Sequence, residues 1–501
     1  MRNQRQKTSM SSIFPTTPEN LQNALSKKFE NNPDVSFTVY EVQKKKIAVF
    51  FITYQVKPGK VEQHLLSNLL DSDKEWTNTD ILNEIPLHNG KQVENMEELL
   101  DGLIQGQIFV YIDGENSALT YPMVNIEDRQ VDTSDTESVV VGPKTAFTET
   151  LSTNLNLLRW RVRSTDLVIE EVKFGKRAKT KGRLAYIKSI ANQTDINTMR
   201  QRLEEMDVDQ VDDVHMLMQY VEDSSFTLFP QFYTTELPDR ASYSLLRGRV
   251  CVLLENSPSV IIAPTTFLSF YESPEDLYMR WNTGTFLRFI RVISFMITLL
   301  LTPMYVASVT FHYEMIPTEL LISIGESRAS VPFPPIFEAL LLEFLIELLR
   351  EAGARLPTKI GQTIGIVGGV VIGTAAVQAG ITSDILIIFT ALSALASFTA
   401  PSYLMGTASR VLRFPMIILA GSLGIFGIMY GICLLLIHLL KIKSLGRPYL
   451  TPVYPFRAKD FNKIVFRLPP QFQGRRFASY RPKDKRRLNK KKSAAKKDID
   501  K

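Results

Sequence analysis

The chain has 501 residues, of which 22% are charged and 45% hydrophobic, and its mean hydropathy is −0.01. Two cysteines, Cys251 and Cys433, are too few for a disulfide framework or a cysteine-based zinc site. The five histidines are scattered along the chain, so we expect no metal site and no cofactor. The first residues are basic but lack an apolar run, and we expect no secretory signal peptide.

The average hydropathy conceals a segregated chain. Almost every long apolar run lies between about residues 286 and 440, and the segments on either side are polar. This pattern disfavours both a purely soluble protein and a secreted one. We predict an α/β N-terminal region that lies in the cytoplasm, followed by an α-helical polytopic membrane domain.

The polar N-terminal half contains a repeated order of strands and helices. Residues 1–32 are polar and are expected to be a flexible segment. Residues 33–139 predict a first α/β subdomain, and residues 140–280 predict a linker helix and a second one. Aligning the strand at Ile108 with the strand at Val250 gives an offset of 142 residues. We therefore predict two related subdomains.

The apolar half, residues 281–445, is predicted to contain four membrane spans. The first has a core of 20 uncharged residues from Val292 to Phe311, enough to cross roughly 30 Å of hydrocarbon. The predicted spans are 287–311, 359–380, 384–400 and 414–440. A cytoplasmic N-terminal region and a basic tail on the same side require an even number of crossings, which favours four. Basic residues assigned to short loops would instead favour five crossings, and they are Arg350, Arg355, Lys359, Arg410 and Arg413.

An acidic amphipathic helix is predicted over residues 334–355. It is apolar enough to insert, but Glu343, Glu347 and Arg350 share one face at i, i+4, i+7 spacing. A central charge facing lipid costs ~2.5–3.5 kcal/mol, so this face needs protein or water. In a ring of subunits, Glu343 and Glu347 would form an acidic vestibule that attracts cations. Equally, the helix could lie at the interface, with its carboxylates hydrated or paired with Arg350.

The predicted second span is rich in glycine. Its candidate helix-packing face consists of Gly361, Gly365, Gly369 and Gly373, which recur every fourth residue. The opposite stripe is uncharged and mildly polar at both ends, as a narrow pore with an apolar gate requires. This candidate pore stripe consists of Thr363, Val367, Val370, Thr374 and Gln378. Composition also allows the alternative that every face packs against protein.

The chain from residue 446 to 501 forms a basic tail. From Arg475 onwards it has 13 Lys or Arg and 3 Asp or Glu residues, and it lacks an apolar period. We expect the tail to be cytoplasmic and near anionic lipid, and its part from Gln473 to Lys501 to be largely disordered. Nucleic-acid binding is the disfavoured alternative, because the tail lacks interleaved aromatic residues that would add specificity.

No catalytic signature accompanies these features. A nucleotide-binding loop, a nucleophile elbow, an HExxH motif and a pair of catalytic acids are all missing from the places where an enzyme would need them. We therefore predict that the protein is not an enzyme.

Several long motifs occur in a fixed order along the chain. The apolar half contains VPFPPIFEALLLEFLIELLREAGARLPTKIGQTIGIVGGVVIGTAAVQAGI, then LSALASFTAPSY and VLRFP. Upstream of these lie GPKTAFTETLSTNLNLLRWRVRSTDLVIEEVKFGKRAKT, PDRASYSLLRGRV, SPEDLY and HYEMIPTELLISI. Together the motifs resemble the A subunit of GerA-type spore germination receptors over roughly residues 140–454. The first subdomain and the lysine-rich tail depart most from the family.

The resemblance implies a protein of the spore inner membrane that works with a transporter-like B subunit and a lipoprotein C subunit. It also implies a nutrient-gated cation channel, formed when A subunits oligomerise, that triggers germination. In such a ring the glycine-rich helix becomes the favoured pore candidate, and the acidic helix becomes either a vestibule or a coupling element. The alternative is a non-conducting receptor or scaffold subunit, with the ions moving through another protein.

Overall fold

The computed structural model describes residues 14–29, 34–123 without 44, 57, 71–73, 86 and 88, then 134, 137, 140–356, 369, 371, 373–467, 469 and 473–488. Two five-stranded antiparallel sheets and a bundle of apolar helices make up this part of the chain. The predicted fold class, an α/β N-terminal region joined to a helical region, is confirmed.

The first sheet has the strand order β1-β2-β4-β5-β3, and every neighbouring pair is antiparallel. Its strands are β1 (Val35–Val42), β2 (Lys45–Ile52), β3 (Lys91–Val93), β4 (Ile108–Ile112) and β5 (Ala118–Tyr121). The second sheet repeats this topology in the order β6-β7-β9-β10-β8. Its strands are β6 (Leu167–Phe174), β7 (Thr180–Ile187), β8 (Tyr233–Thr235), β9 (Val250–Leu254) and β10 (Val260–Ala263).

The two sheets correspond strand by strand. β4 begins at Ile108 and β9 at Val250, and β5 and β10 begin at Ala118 and Val260, so both pairs are separated by 142 residues. The prediction of two related subdomains with this offset is therefore confirmed.

Helices cover both faces of each sheet. Successive residues of a strand point to opposite faces, so Ile47 and Val49 enter one core of the first sheet while Ala48 and Phe50 enter the other. The helical elements here are α1 (Pro18–Phe29), the consecutive turns Pro58–Val61, Glu62–Leu66 and Ser67–Leu70, α2 (Asn78–Glu84) and α3 (Met96–Ile104). Around the second sheet they are α4 (Leu151–Arg161), α5 (Gln193–Glu204), α6 (Val214–Val221), α7 (Pro238–Leu245), Phe267–Tyr271 and Glu275–Tyr278.

The N-terminal segment differs from its prediction as a flexible stretch. Within residues 1–32, helix α1 packs on the first sheet, because Leu21, Leu25 and Phe29 bury their side chains in the core that Phe50 lines. The polar residues between them had masked this apolar period. Residues 1–13 lie outside the described residues.

A buried ion pair joins the two subdomains. The Arg159 guanidinium lies 3.1 Å from the Asp34 carboxylate, and both side chains are almost fully buried. Tyr54 donates to the same carboxylate at 3.0 Å and accepts from Arg159 at 3.1 Å. A buried pair with this many hydrogen bonds fixes one relative orientation of its two elements.

The apolar half forms the helical bundle. Its helices are α8 (Trp281–Phe311), the short turn Tyr313–Met315, α9 (Thr318–Arg328), α10 (Pro335–Arg355), α11 (Asp384–Ser397), α12 (Tyr403–Leu423) and α13 (Ile425–Lys441). Residues 373–378 are also helical. Two of the described helices, α8 and α12, are long and apolar enough to cross a membrane.

The predicted single span 414–440 is wrong, because the chain turns back within it. Helix α12 ends at Leu423 and α13 begins at Ile425, and Gly424 between them has φ 63° and ψ −141°. The two helices pack against each other, with Gly431 against Met416. Glycine adopts this backbone conformation without the penalty that a side chain would add.

Residues 473–488 differ from the prediction of disorder, since they fold onto the second subdomain, where Arg476 donates to the Leu246 carbonyl at 2.8 Å. The elements that follow α13 are β11 (Lys443–Ser444), β12 (Arg447–Pro448), α14 (Ala458–Val465) and Ala478–Tyr480. Arg447 pairs with the carboxylate of Asp195 at 2.7 Å, and the buried Tyr449 donates to the Pro230 carbonyl at 2.8 Å. The segment therefore ends on the same side of the bundle as the α/β region. Residues 489–501 lie outside the described residues.

Candidate functional site

The core of the helical bundle contains a buried ion pair. The Arg413 side chain of α12 donates to the Glu343 carboxylate of α10, and both side chains are about 1% exposed. Thr302 of α8 donates to the other carboxylate oxygen at 2.9 Å. Arg413 also donates from Nε to the Thr298 carbonyl at 2.9 Å. Three helices thus meet at one charge pair whose carboxylate is satisfied at both oxygens.

A second, more open cluster lies one turn along α10. Glu347 lies 3.5 Å from Arg350 and 3.5 Å from Arg410, and its side chain remains 29% exposed. Arg350 donates to Ser397 at 3.2 Å and lies over the ring of Phe398. Here two cations face one carboxylate, which is less buried than that of Glu343.

A third carboxylate closes the opposite end of the bundle. Glu338 is fully buried and accepts from the Ser383 backbone N–H at 2.6 Å and from the Thr382 hydroxyl at 3.0 Å. Arg328 of α9 reaches the same group at 2.5 Å. Because Ser383 precedes the first turn of α11, the carboxylate also lies where the helix dipole favours negative charge.

The two predicted vestibule residues have different environments. Glu343 has no exposed surface and its partner lies in the same chain, so it does not face a vestibule within the subunit. The vestibule hypothesis is therefore kept for Glu347 alone. The pairing with Arg350 that the spacing allowed occurs at Glu347.

The arginines of α12 are the participants that the sequence analysis missed. Arg410 and Arg413 had been placed in a loop, whereas they lie within α12 and face the glutamates of α10. The signal that could have found them is charge balance. An apolar stretch that contains acids needs bases to neutralise them, and two arginines three residues apart match two glutamates four residues apart on a facing helix.

The described part of the glycine-rich segment lies at the outside of the bundle. Thr374 and Gln378 of the predicted pore stripe are exposed, and so is Gly369 of the predicted packing face. A Cβ placed on Gly369 or Gly373 would have no neighbour within 4 Å. These two glycines therefore allow no close approach to another described part of the same chain. The other predicted residues, Gly361, Thr363, Gly365, Val367 and Val370, lie outside the described residues.

An apolar groove lies beside this segment. It has a volume of about 370 Å³ and is formed by α10, by α11 and by the two described glycines. Leu342 and Leu349 line one wall, and Ile387 and Leu395 line the other. Among the described residues, no three His, Cys, Asp or Glu side chains are placed to hold a metal ion.

These features define a two-part protein, in which a duplicated α/β region supports an apolar bundle whose charges are paired internally. Residues 23–479 match the family described as Bacillus/Clostridium GerA spore germination protein. The chain belongs to this family, and its role is in spore germination.

Individual relatives agree with this assignment. The chain is 43% identical to spore germination protein GerQA of Bacillus cereus over 413 residues, which cover 82% of each protein. It is 37% identical to spore germination protein KA of Bacillus subtilis (strain 168), over 89% of this chain and 82% of the relative. A solved structure, the N-terminal domain of the A subunit of the Bacillus megaterium spore germinant receptor GerK3, is 26% identical with a TM-score of 0.40. The match covers 51% of this chain and 98% of the GerK3 domain.

Proposed function

We propose that this protein is the A subunit of a nutrient-responsive germination receptor, and that copies of it assemble in the spore inner membrane into a nutrient-gated cation channel. It acts with a transporter-like B subunit and a lipoprotein C subunit and has no enzymatic role. The α/β region and the folded tail lie in the cytoplasm and contribute to assembly.

The position of the glycine-rich segment is the observation that supports a channel. A pore on the axis of a ring must be lined by a helix at the outside of each subunit's own bundle. The described residues of this segment have that position, with Thr374 and Gln378 exposed. They carry hydroxyl and amide groups without net charge, which suits the end of a narrow cation pore. A second copy of the chain would cover the neighbouring groove.

The contacts at the two ends of the bundle support six membrane passes instead of four. At the α/β end, Arg288 near the start of α8 pairs with Asp276, and His438 near the end of α13 contacts Thr227 at 2.9 Å. At the far end, His312 after α8 lies against Gly424. The six proposed passes are α8, α10, the predicted span 359–380, α11, α12 and α13, with α12 and α13 forming a hairpin.

Six passes also reconcile the charge distribution with the topology. Helix α10 crosses because the Glu343 charge is neutralised by Arg413 inside the protein. Arg350 and Arg355, near the end of α10, and Arg410, near the start of α12, then all lie towards the cytoplasmic side. Four passes left these arginines on the wrong side.

A substitution at the gate tests the proposed function. Val367→Ala and Val370→Ala are expected to loosen the apolar constriction, so that spores germinate without nutrient. Ile372→Val is the control, because helical spacing predicts position 372 on the side opposite the stripe, and spores carrying it should stay dormant. Dormancy of all three variants at normal protein levels would count against this helix as the gate.

A further inference from the structure

A cleft lined by cations lies where the folded tail meets the base of α8. Its walls come from α7, from the start of α8, from α14 and from the tail after residue 473. Tyr243 and Phe477 supply aromatic surface. The charged residues that line the cleft are all basic: Arg247, Arg288, Lys463, Arg467, Arg475, Arg476 and Arg487.

Four of these seven cations have a carboxylate partner that lies outside the lining. Arg247 pairs with Glu272 at 2.8 Å and Arg288 with Asp276 at 2.8 Å. Lys463 is farther from its partner, at 3.6 Å from Asp460. Arg476 lies 2.5 Å from Asp484, whose side chain is exposed. The carboxylates thus neutralise part of the wall and leave a positive excess.

The remaining three arginines have no carboxylate within ion-pair distance among the described residues. Arg467 donates to the backbone carbonyls of Leu277 and Met279. Arg487 donates to the Gln473 side chain at 3.2 Å, so its partner is uncharged. Arg475 is exposed, and its charge acts on Lys463 across the cleft.

The crowding of like charges shows in the electrostatics of the cleft. Burial lowers the pKa of Lys463, and the charges of Arg247 and Arg475 lower it further, although Asp460 opposes them. Burial and the charge of Arg288 likewise lower the pKa of Arg467. An anion in the cleft would relieve this repulsion.

We propose that this cleft binds a phosphate group, carried either by an anionic phospholipid headgroup or by a free phosphate compound. The guanidinium fork matches phosphate oxygens in pairs, and several arginines lining one cleft favour a multiply charged oxyanion. A carboxylate would use fewer of the donors.

The surroundings of the cleft favour the lipid as the source of the phosphate. Exposed aromatic side chains lie on α8 and on the tail, close to cleft residues Arg288 and Arg467 in the sequence. The rings of Phe289 and Phe466 are in edge contact, with 5.5 Å between their centroids. Phe286 of α8 is 64% exposed. A headgroup in the cleft would place its acyl chains along these rings. This choice of source depends on the membrane placement proposed above, whereas binding of free phosphate does not.

The test measures binding to the full chain purified in detergent. The probes are dihexanoyl phosphatidylglycerol for the lipid, inorganic pyrophosphate for the free anion and dihexanoyl phosphatidylcholine as the zwitterionic control. The variant is Arg475→Gln with Arg487→Gln, which removes two cleft charges that make few internal contacts. The matched control, Lys485→Gln with Arg486→Gln, removes two exposed charges from the same segment outside the cleft.

Saturable binding of phosphatidylglycerol or pyrophosphate is expected, weakened about tenfold in the cleft variant and unchanged in the control variant. Lipid binding without pyrophosphate binding identifies the headgroup as the ligand, and the reverse identifies a free phosphate compound. Equal loss in the two double variants would overturn the proposal, because it would mean diffuse attraction to a basic tail. Absence of saturable binding of both probes, or equal binding of phosphatidylcholine, would also overturn it.

Discussion

At the scale of single residues, Glu343 and Glu347 show how one turn of helix separates two roles. Both glutamates lie on the same face of α10, yet Glu343 is sealed inside the bundle and Glu347 is partly open to solvent. Glu343 accepts hydrogen bonds from Arg413 and Thr302, whereas Glu347 makes only 3.5 Å contacts with its arginines. Substitution of the two glutamates by the uncharged isostere should therefore have unequal effects.

Glu343→Gln should destabilise the protein by about 3–5 kcal/mol, because it leaves the Arg413 charge buried without a partner. Glu347→Gln should cost less than Glu343→Gln, because the Glu347 side chain is 29% exposed and its contacts with Arg350 and Arg410 are longer, at 3.5 Å. Thermal unfolding of the full chain in detergent measures both losses of stability. The double variant Glu343→Gln with Arg413→Gln should lose less stability than the sum of the losses in its two single variants. Equal stability of the two single variants would contradict the assigned roles.

A titratable group in the second subdomain predicts a pH dependence. Burial raises the pKa of Glu222 to about 7, above the ~4.3 expected of an unfolded chain. The folded state therefore binds more protons than the unfolded state between these values, and stability is lost as the pH rises through 7. Glu222→Gln should reduce the difference in unfolding temperature between pH 5 and pH 8. Exposed Glu204→Gln is the control and should leave that difference unchanged.

An ion pair could be predicted from the sequence only where both partners lie on the same helix. The pairing of Glu347 with Arg350 follows from helical spacing. The pairing of Glu343 with Arg413 joins residues 70 positions apart and depends on which helices pack together. Periodicity along one helix contains no information about that choice.

At the scale of elements, the turn at Gly424 has the clearest consequence. A Cβ at this position would lie 2.6 Å from the His312 ring, and the backbone has a positive φ. Gly424→Ala should therefore cost about 1–3 kcal/mol through strain and loosen the hairpin of α12 and α13. Gly325→Ala is the control, since that glycine is helical with open space around it and the change should stabilise slightly. Thermal unfolding measures the stability of both variants. Equal stability of Gly424→Ala and Gly325→Ala would contradict a turn that requires glycine at position 424.

Element prediction succeeded where the pattern was periodic and failed where tertiary contacts decide. Strands β4 and β9 follow from their apolar runs and offset. The break at Gly424 could not be predicted, because other glycines nearby, such as Gly427 and Gly431, continue the helix. The tail folds because residues such as Arg447 and Tyr449 find partners more than 200 positions away.

At the scale of the whole molecule, the number of passes determines which loops face the cytoplasm. With six passes, Glu351 at the end of α10 lies on the side of the α/β region, and Ser330 before α10 lies on the opposite side. If α10 did not cross, both positions would share the outer side. The two arrangements therefore differ in the side of the membrane on which Glu351 lies.

Cysteine labelling distinguishes the two arrangements. With Cys251 and Cys433 replaced by serine, Ser330→Cys in intact cells should react with a membrane-impermeant thiol reagent. Glu351→Cys should react only after the membrane is permeabilised. Reaction of Glu351→Cys in intact cells would contradict the crossing of α10.

Ion flux through vesicles that contain this chain with the proposed B and C subunits tests the central claim most directly. We predict a cation flux that requires nutrient in the wild type and that becomes independent of nutrient in Val367→Ala or Val370→Ala. Ile372→Val, on the side predicted to lie opposite the stripe, should behave as the wild type. A nutrient-dependent flux that no substitution in this segment alters would contradict the claim, because the ions would then pass through another protein and this chain would be a scaffold.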